Sequence, residues 1–133
     1  MENNQNFNPL KPDEIQNMLD SFESDENDIL KIPLMFITDP QFKDLSSDAK
    51  ILYSLLLHRT GLSPKNGWID QNNHTYVIYT IEQIMKDLNC WQNKAIKAMR
   101  ELKDIGLVKS VRRGQGKADL IYVTHFANVC RKT

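Results

Sequence analysis

Residues 80–123, TIEQIMKDLNCWQNKAIKAMRELKDIGLVKSVRRGQGKADLIYV, constrain the fold of this chain more than any other stretch. Apolar residues recur at helical spacing in two blocks. Ile81, Ile84, Met85 and Leu88 make the first; Ala95, Met99, Leu102 and Ile105, with Ile96 beside them, make the second. Thr80 with Gln83 three residues on is a capping-box signature for the first helix. Asn89, which tolerates the left-handed cap conformation, is placed to stop it. The second helix is expected from about Gln92 to Ile105, where Gly106 ends it. LVKSVR and LIYV then read as short strands around Arg113, Gly114, Gln115, Gly116 and Lys117. Helix, tight turn, helix, strand, loop, strand is the order of a winged helix-turn-helix, a motif that docks on duplex DNA. The expected fold class is α+β: three core helices, an extra β-hairpin between helices 1 and 2, and a C-terminal β-wing.

Upstream, LSSDAKILYSLLLHRTGL starts with Ser46 or Ser47 as an N-cap and presents Ala49, Leu52, Tyr53 and Leu56 on one helical face, widened by Ile51 and Leu55. This helix is expected to end near Gly61. Residues 67–79 read as a β-hairpin, with GWID and TYVIYT flanking the polar turn Gln71-Asn72-Asn73-His74, and Trp68 in its core. The run ILKIPLMFI at 29–37 is apolar, but Pro33 removes a backbone donor and limits it to an edge strand or an extended arm. Its apolar residues need cover, and Ile32, Leu34 and Phe36 are the expected dimer contact. Residues 1–28 are acidic and polar; DEIQNMLDS at 13–21 allows a weak helix with Ile15, Met18 and Leu19 on one face, but the expectation is a disordered or mobile arm. The domain proper is expected at 29–126, and 127–133 begin a linker to a C-terminal domain absent from this sequence.

The formal net charge of zero hides an uneven distribution. Residues 1–45 hold three Lys/Arg against ten Asp/Glu, whereas residues 46–133 hold fourteen against seven, so the folded part is basic. Cys90 and Cys130 form no pair at metal spacing, and His58, His74 and His125 are scattered, so no metal, cofactor or disulfide scaffold is expected. No carboxylate pair or nucleophile-and-base set suggests an enzyme. No apolar run is long enough to span a bilayer and no basic, apolar leader is present; the expectation is a cytoplasmic protein without a membrane partner.

The basic residues fall mainly on the second helix of the motif and the loop. Gln92, Asn93, Lys94, Lys97 and Arg100 lie on the polar side of that helix, and its N-terminal half is the part that enters the major groove. Gln and Asn can pair with the adenine edge in bidentate fashion and Lys can reach guanine N7 and O6, although a solvated helix face is the plain alternative. Arg112, Arg113, Gln115 and Lys117 surround a tip that can meet phosphates or the minor groove, against the alternative of an ordinary solvated turn. The glycines there do not form a nucleotide loop, because no helix follows to receive a phosphate. Thr80 can offer helix amides to the DNA backbone, although capping alone explains it. Trp91 stands where the helix needs an N-cap; it either packs over the turn or lies against the DNA backbone.

IPLMFI, LSSDAKILYSLLLHR, KNGWID, YVIYTIEQIMKDLNC, KAIKAMRELKDIGLV, GQGKADLIYV and the closing HF together resemble the N-terminal domain of the RepA_N plasmid replication initiators of Gram-positive bacteria, over roughly residues 30–126. Asn89 and Trp91 stand where that family more usually has Gly and Ser. The resemblance implies binding to repeated duplex sites (iterons) at a plasmid origin, often as a homodimer, and recruitment of host replication proteins through a C-terminal domain. A transcriptional regulator on the same scaffold, or a winged helix used for protein contact as in primosome components, are the rival readings, since a scaffold does not fix function.

Overall fold

The N-terminal unit, residues 1–30, and the larger unit, residues 31–133, are built separately. In the computed structural model the described residues are 8–24 and 29–128. In the first unit a helix, α1 (Pro12–Ser24), replaces the expected disordered arm over those residues. Pro12 occupies the first turn, where its missing N–H costs nothing, and Asp13 and Glu14 face the positive end of the helix dipole. The Lys11 amide donates to Glu14 Oε1 at 2.9 Å, and Gln16 Nε2 donates to Asp20 Oδ1 at 2.9 Å one turn on. The rest of the expected arm, 1–7 and 25–28, and most of the linker start, 129–133, lie outside the described residues.

The larger unit corrects the reading of 29–37. Pro33 does not sit in an edge strand; it caps a one-turn helix, α2 (Leu34–Thr38), followed by a 3₁₀ turn at Pro40–Phe42 in which the Asp39 side chain accepts from the Gln41 amide. The turn rotates Phe36 inward, where it is fully buried, with ring centroids 4.9 Å from Phe42, 5.1 Å from Tyr53 and 6.1 Å from Phe126. The apolar run that suggested an edge strand thus folds around one aromatic anchor, Phe36. Leu34 and Ile37 are left 74% and 65% exposed.

Helix α3 (Ser47–Asn66) is longer than expected. It passes through Gly61 and Pro64 and stops at Gly67, whose φ of 75° lets the Trp68 amide bond back to the Ser63 carbonyl at 2.9 Å. Ser63 holds the extra turn in place. Its buried hydroxyl donates to the Tyr76 carbonyl at 2.7 Å, so the helix end is tied to the segment that follows. The expected hairpin at 67–79 is present but short, over 68–76, with the Asp70 amide donating to the His74 carbonyl at 2.9 Å and the Tyr76 amide to the Trp68 carbonyl at 3.1 Å. A single bridge joins Ile69 to Thr75, Asn73 takes the positive φ (66°), and Trp68 packs, partly buried, against the core. Val77 then leaves the loop and pairs with Ile121 instead, with amide–carbonyl distances of 2.8 and 2.9 Å.

Two helices follow, α4 (Ile81–Leu88) and α5 (Gln92–Ile105), then β1 (Val108–Val111) and β2 (Leu120–Val123). The strands are antiparallel, Val108 opposite Val123 and Val111 opposite Leu120, so β2 lies between β1 and the Val77 bridge. Ala95, Ala98, Met99 and Leu102, spaced as one helical face, bury α5 against α3 and α4. Ile84, Leu107, Val77 and Ile121 close the same core. The chain is therefore a mixed helical protein with a small antiparallel sheet.

Candidate nucleic-acid interface

The geometry of α4 and α5 is set by their ends. Thr80 Oγ1 accepts from the Gln83 amide at 3.2 Å while Gln83 Oε1 accepts from the Thr80 amide at 2.9 Å, the reciprocal pair expected from sequence. Asn89 takes the left-handed conformation, φ 53°, and the Cys90 amide returns to the Met85 carbonyl. Only Asn89, Cys90 and Trp91 separate the helices, so the turn is tight. At the far end Gly106, φ 89°, directs its own amide to Lys103 and that of Leu107 to Leu102, and the buried Leu107 and Leu102 accompany that pair. Those bonds swing the chain straight into β1.

Two contacts anchor α5 beyond its apolar face. Glu101 accepts from the Ser46 amide at 2.8 Å through one oxygen and from the Ser46 hydroxyl at 2.9 Å through the other. The same hydroxyl accepts from the Ala49 amide at 3.1 Å, making Ser46 the cap of α3. The α3 N-terminus is thereby pinned to the middle of α5. On α4, the Tyr79 hydroxyl donates to Asp87 and the Arg59 guanidinium lies 4.5 Å from the Tyr79 ring centre. Burial, and then the hydrogen bond to Asp87, raise the Tyr79 phenol above its ordinary range, so it stays a donor. Burial likewise pushes the Tyr53 phenol up to about 12, against an opposing pull from the Phe126 backbone.

With α5 fixed, its polar residues separate by partner. Gln92, Asn93, Lys94, Lys97 and Arg100 are all exposed, as the spacing requires. Lys94 pairs with Asp48 at 3.6 Å and Lys97 with Glu101 at 3.9 Å. Both lysine ends are open to solvent and the pairs are cheap to break, so neither lysine is lost to a ligand. Asn93 and Lys94 share a shallow groove with Ser46 and Asp48. Trp91 does not pack over the turn: its side chain is 84% exposed, and α5 has no side-chain cap.

The tip between the strands is exposed from Arg112 to Lys117, including Gln115. Arg113 is partly engaged, since its Nε donates to the Ala118 carbonyl at 2.8 Å across the loop. Ser110 Oγ donates to Asp119 Oδ2 at 3.1 Å at the loop base. Thr80 and Lys117, distant in sequence, line one cavity of about 280 Å³ together with Lys103 and Asp119. Phe36 is removed from the expected dimer contact by its burial, which leaves Ile32 and Leu34 on the surface.

Ser46 was expected as a helix cap and is one, but its bonds to Glu101 escaped the sequence reading, and so did the role of Asp70. Asp70 Oδ1 accepts from the Asn72 and His74 amides, each at 2.9 Å, and its Oδ2 accepts from the Tyr122 hydroxyl at 2.9 Å. The His74 amide bond is the main cause that holds the Asp70 carboxyl below its ordinary range. An aspartate at the first position of a polar turn was the available signal; its partner on β2 was not. Among the described residues, no group of three or more His, Cys, Asp or Glu could hold a metal ion, and no helix is long and apolar enough to cross a membrane.

The profile of the family described as replication initiator protein A (RepA) N-terminus matches residues 28–133. A "41 kDa protein" of Lactobacillus helveticus is 30% identical over 84 residues, covering 63% of this chain and 24% of that protein. The chain thus spans about a quarter of that relative's length. Among solved structures, a "Rep-DNA complex" chain is 33% identical with a TM-score of 0.68, covering 80% of each chain. An "N-terminal domain of DNA binding protein" is 30% identical with a TM-score of 0.68, covering 89% of this chain and 84% of that one. An "MDR initiator" is 31% identical with a TM-score of 0.65, covering 89% and 86%.

Proposed function

The chain belongs to the replication initiator protein A N-terminal family, and from that premise we propose that residues 31–128 act as a winged helix-turn-helix on repeated duplex sites at a plasmid origin. In this reading α4 lies across the backbone, the N-terminal half of α5 enters the major groove, and the β1–β2 loop is the wing. Gln92, Asn93 and Lys97 read base edges, Lys94 and Arg100 flank them, and Arg112, Arg113, Gln115 and Lys117 hold phosphates. Thr80 and Lys117 open onto one cavity, which favours a shared backbone contact. The domain works by binding, not by catalysis.

The observation that carries the proposal is the state of α5. Its apolar face is spent on the core and two Glu101–Ser46 bonds fix its angle, while a continuous amide- and cation-bearing face is left open at its N-terminal half. The likeness to a chain solved in a Rep–DNA complex supports the same ligand. Two copies bind as a homodimer through Ile32 and Leu34, and host replication proteins are recruited by a further domain. Footprinting the protein on the origin of its own plasmid tests the reading. Protection of short repeats spaced by whole helical turns is expected; protection of a promoter with the origin untouched would favour a transcriptional regulator instead.

A further inference from the structure

We propose that Trp91 is a base-reading residue that receives the C5-methyl group of a thymine in the major groove, an inference that rests on the DNA-binding reading above. Among the other described aromatic rings of this unit, Phe36, Phe42 and Tyr53 are fully buried and Tyr79 nearly so, while Trp68, Tyr76, Tyr122 and Phe126 are half-buried. Trp91 alone of these is 84% exposed. A shortage of core does not explain it.

Its position is locally unfavourable as well. Trp91 is the N-cap of α5, with φ −81° and ψ 167°, and makes no side-chain cap bond. No acidic residue in the first turn compensates. Ser, Asn or Asp there would satisfy an orphan amide, so the helix forgoes a cap to place an indole at its leading end. Breaches of local preference of this kind concentrate at functional positions.

The surroundings select the occupant. Trp91 with Met85, Asn89 and Cys90 lines an open groove of about 290 Å³, and Gln92, Asn93 and Lys94 follow directly. One indole offers about 200 Å² of contact. A stable protein interface buries on the order of 1,200 Å² or more, well beyond what one indole beside the part-buried Met85 and Cys90 can offer, and the residues that follow on α5 are amides and a cation. The thymine methyl is the one apolar feature that a base pair shows in the major groove. An indole on the first residue ahead of the recognition helix is suited to cover it.

The test uses the full chain and the repeat duplex recovered by footprinting, with each thymine replaced in turn by deoxyuridine, which lacks only the methyl. For the wild type, one or two replacements should weaken binding ~4-fold, the factor matching about 0.8 kcal/mol for one buried methyl group. Trp91→Ala should lose a similar factor on the intact repeat, bind random duplex as before, and no longer respond to those replacements. Trp91→Ser should melt higher, because it restores a cap, while binding the repeat more weakly; a merely structural Trp would move both the same way. Wild-type protein with no preference for the repeat would sink the DNA reading and this proposal with it. A preference that survives Trp91→Ala with the deoxyuridine penalties intact overturns this proposal alone, as does an equal loss on repeat and random duplex.

Discussion

Removing the Glu101 carboxylate should loosen α5 from α3 more than any surface ion pair would. Glu101 receives two hydrogen bonds from Ser46, at 2.8 and 2.9 Å, and its side chain is only 20% exposed. Hydrogen bonds to a charged group contribute about 1.5–3 kcal/mol each when well shielded. Ser46 is half-buried, so water can replace part of the lost bonding, and the two bonds share one serine. We therefore expect Glu101→Ala to cost about 2–3 kcal/mol, not the sum of two independent bonds. The Lys97 partner adds only about 0.3–0.5 kcal/mol, because its own end of that i,i+4 pair is 72% exposed and the separation is long at 3.9 Å. Ser46→Ala should cost about 2 kcal/mol, through the α3 cap and one of the two bonds. Glu101→Gln retains an acceptor for the Ser46 amide but offers the hydroxyl no second oxygen, so it should fall between wild type and Glu101→Ala. Urea unfolding reads these differences: with a slope of about 1–3 kcal/mol/M the midpoint for Glu101→Ala moves by about 0.7–3 M. The double variant should be less unstable than the two single losses added. A Glu101→Ala loss below about 0.5 kcal/mol, or strict additivity with Ser46→Ala, would refute the claim that this bridge orients α5.

Lys117→Ala should weaken specific and random duplex alike and make the salt slope shallower by about one unit, measured by anisotropy titrations at several salt concentrations. Arg113→Ala should do the same and in addition release the loop, since its Nε no longer holds the Ala118 carbonyl. The Asp70 carboxyl is depressed in the fold, so the stability it contributes is present above its ordinary value of 3.8 and is lost as pH falls through its lower folded value. Asp70→Asn should therefore lessen acid destabilisation in melts taken between about pH 2 and 5, and an unchanged pH profile would contradict the assignment. Leu34→Asp places a charge on the apolar surface proposed for self-association without touching the buried Phe36, so sedimentation equilibrium should report a monomer that still melts cooperatively.

The motif from Thr80 to Val123 was legible because its signals are local. Thr80 and Gln83 cap each other within one turn, Asn89 and Gly106 need only their own backbone freedom, and the α5 face follows from a 3.6-residue period. What was misread depends on distant partners. Phe36 looked like part of a strand because the run at 29–37 is apolar throughout, and only Phe42, Tyr53 and Phe126 turn it into a core anchor. Gly61 looked like a helix end, but the Ser63 bond to Tyr76, thirteen residues on, carries α3 past it. Val77 has the alternation of a hairpin strand and pairs with Ile121 instead. Glu101 and Ser46 lie 55 residues apart, and no spacing rule joins them. The candidate interface was read from residue type and face; which of its two open readings Trp91 takes, clear of the turn, depends on packing that no local pattern encodes.

If α5 reads sequence, binding isotherms of Gln92→Ala, Asn93→Ala and Lys97→Ala on the origin repeat and on random duplex will separate the two ligands. Each substitution should cost about 1–3 kcal/mol on the repeat and much less on random DNA, because the lost contacts are to base edges. Losses by the same factor on both duplexes would contradict the account and move base readout off this helix face.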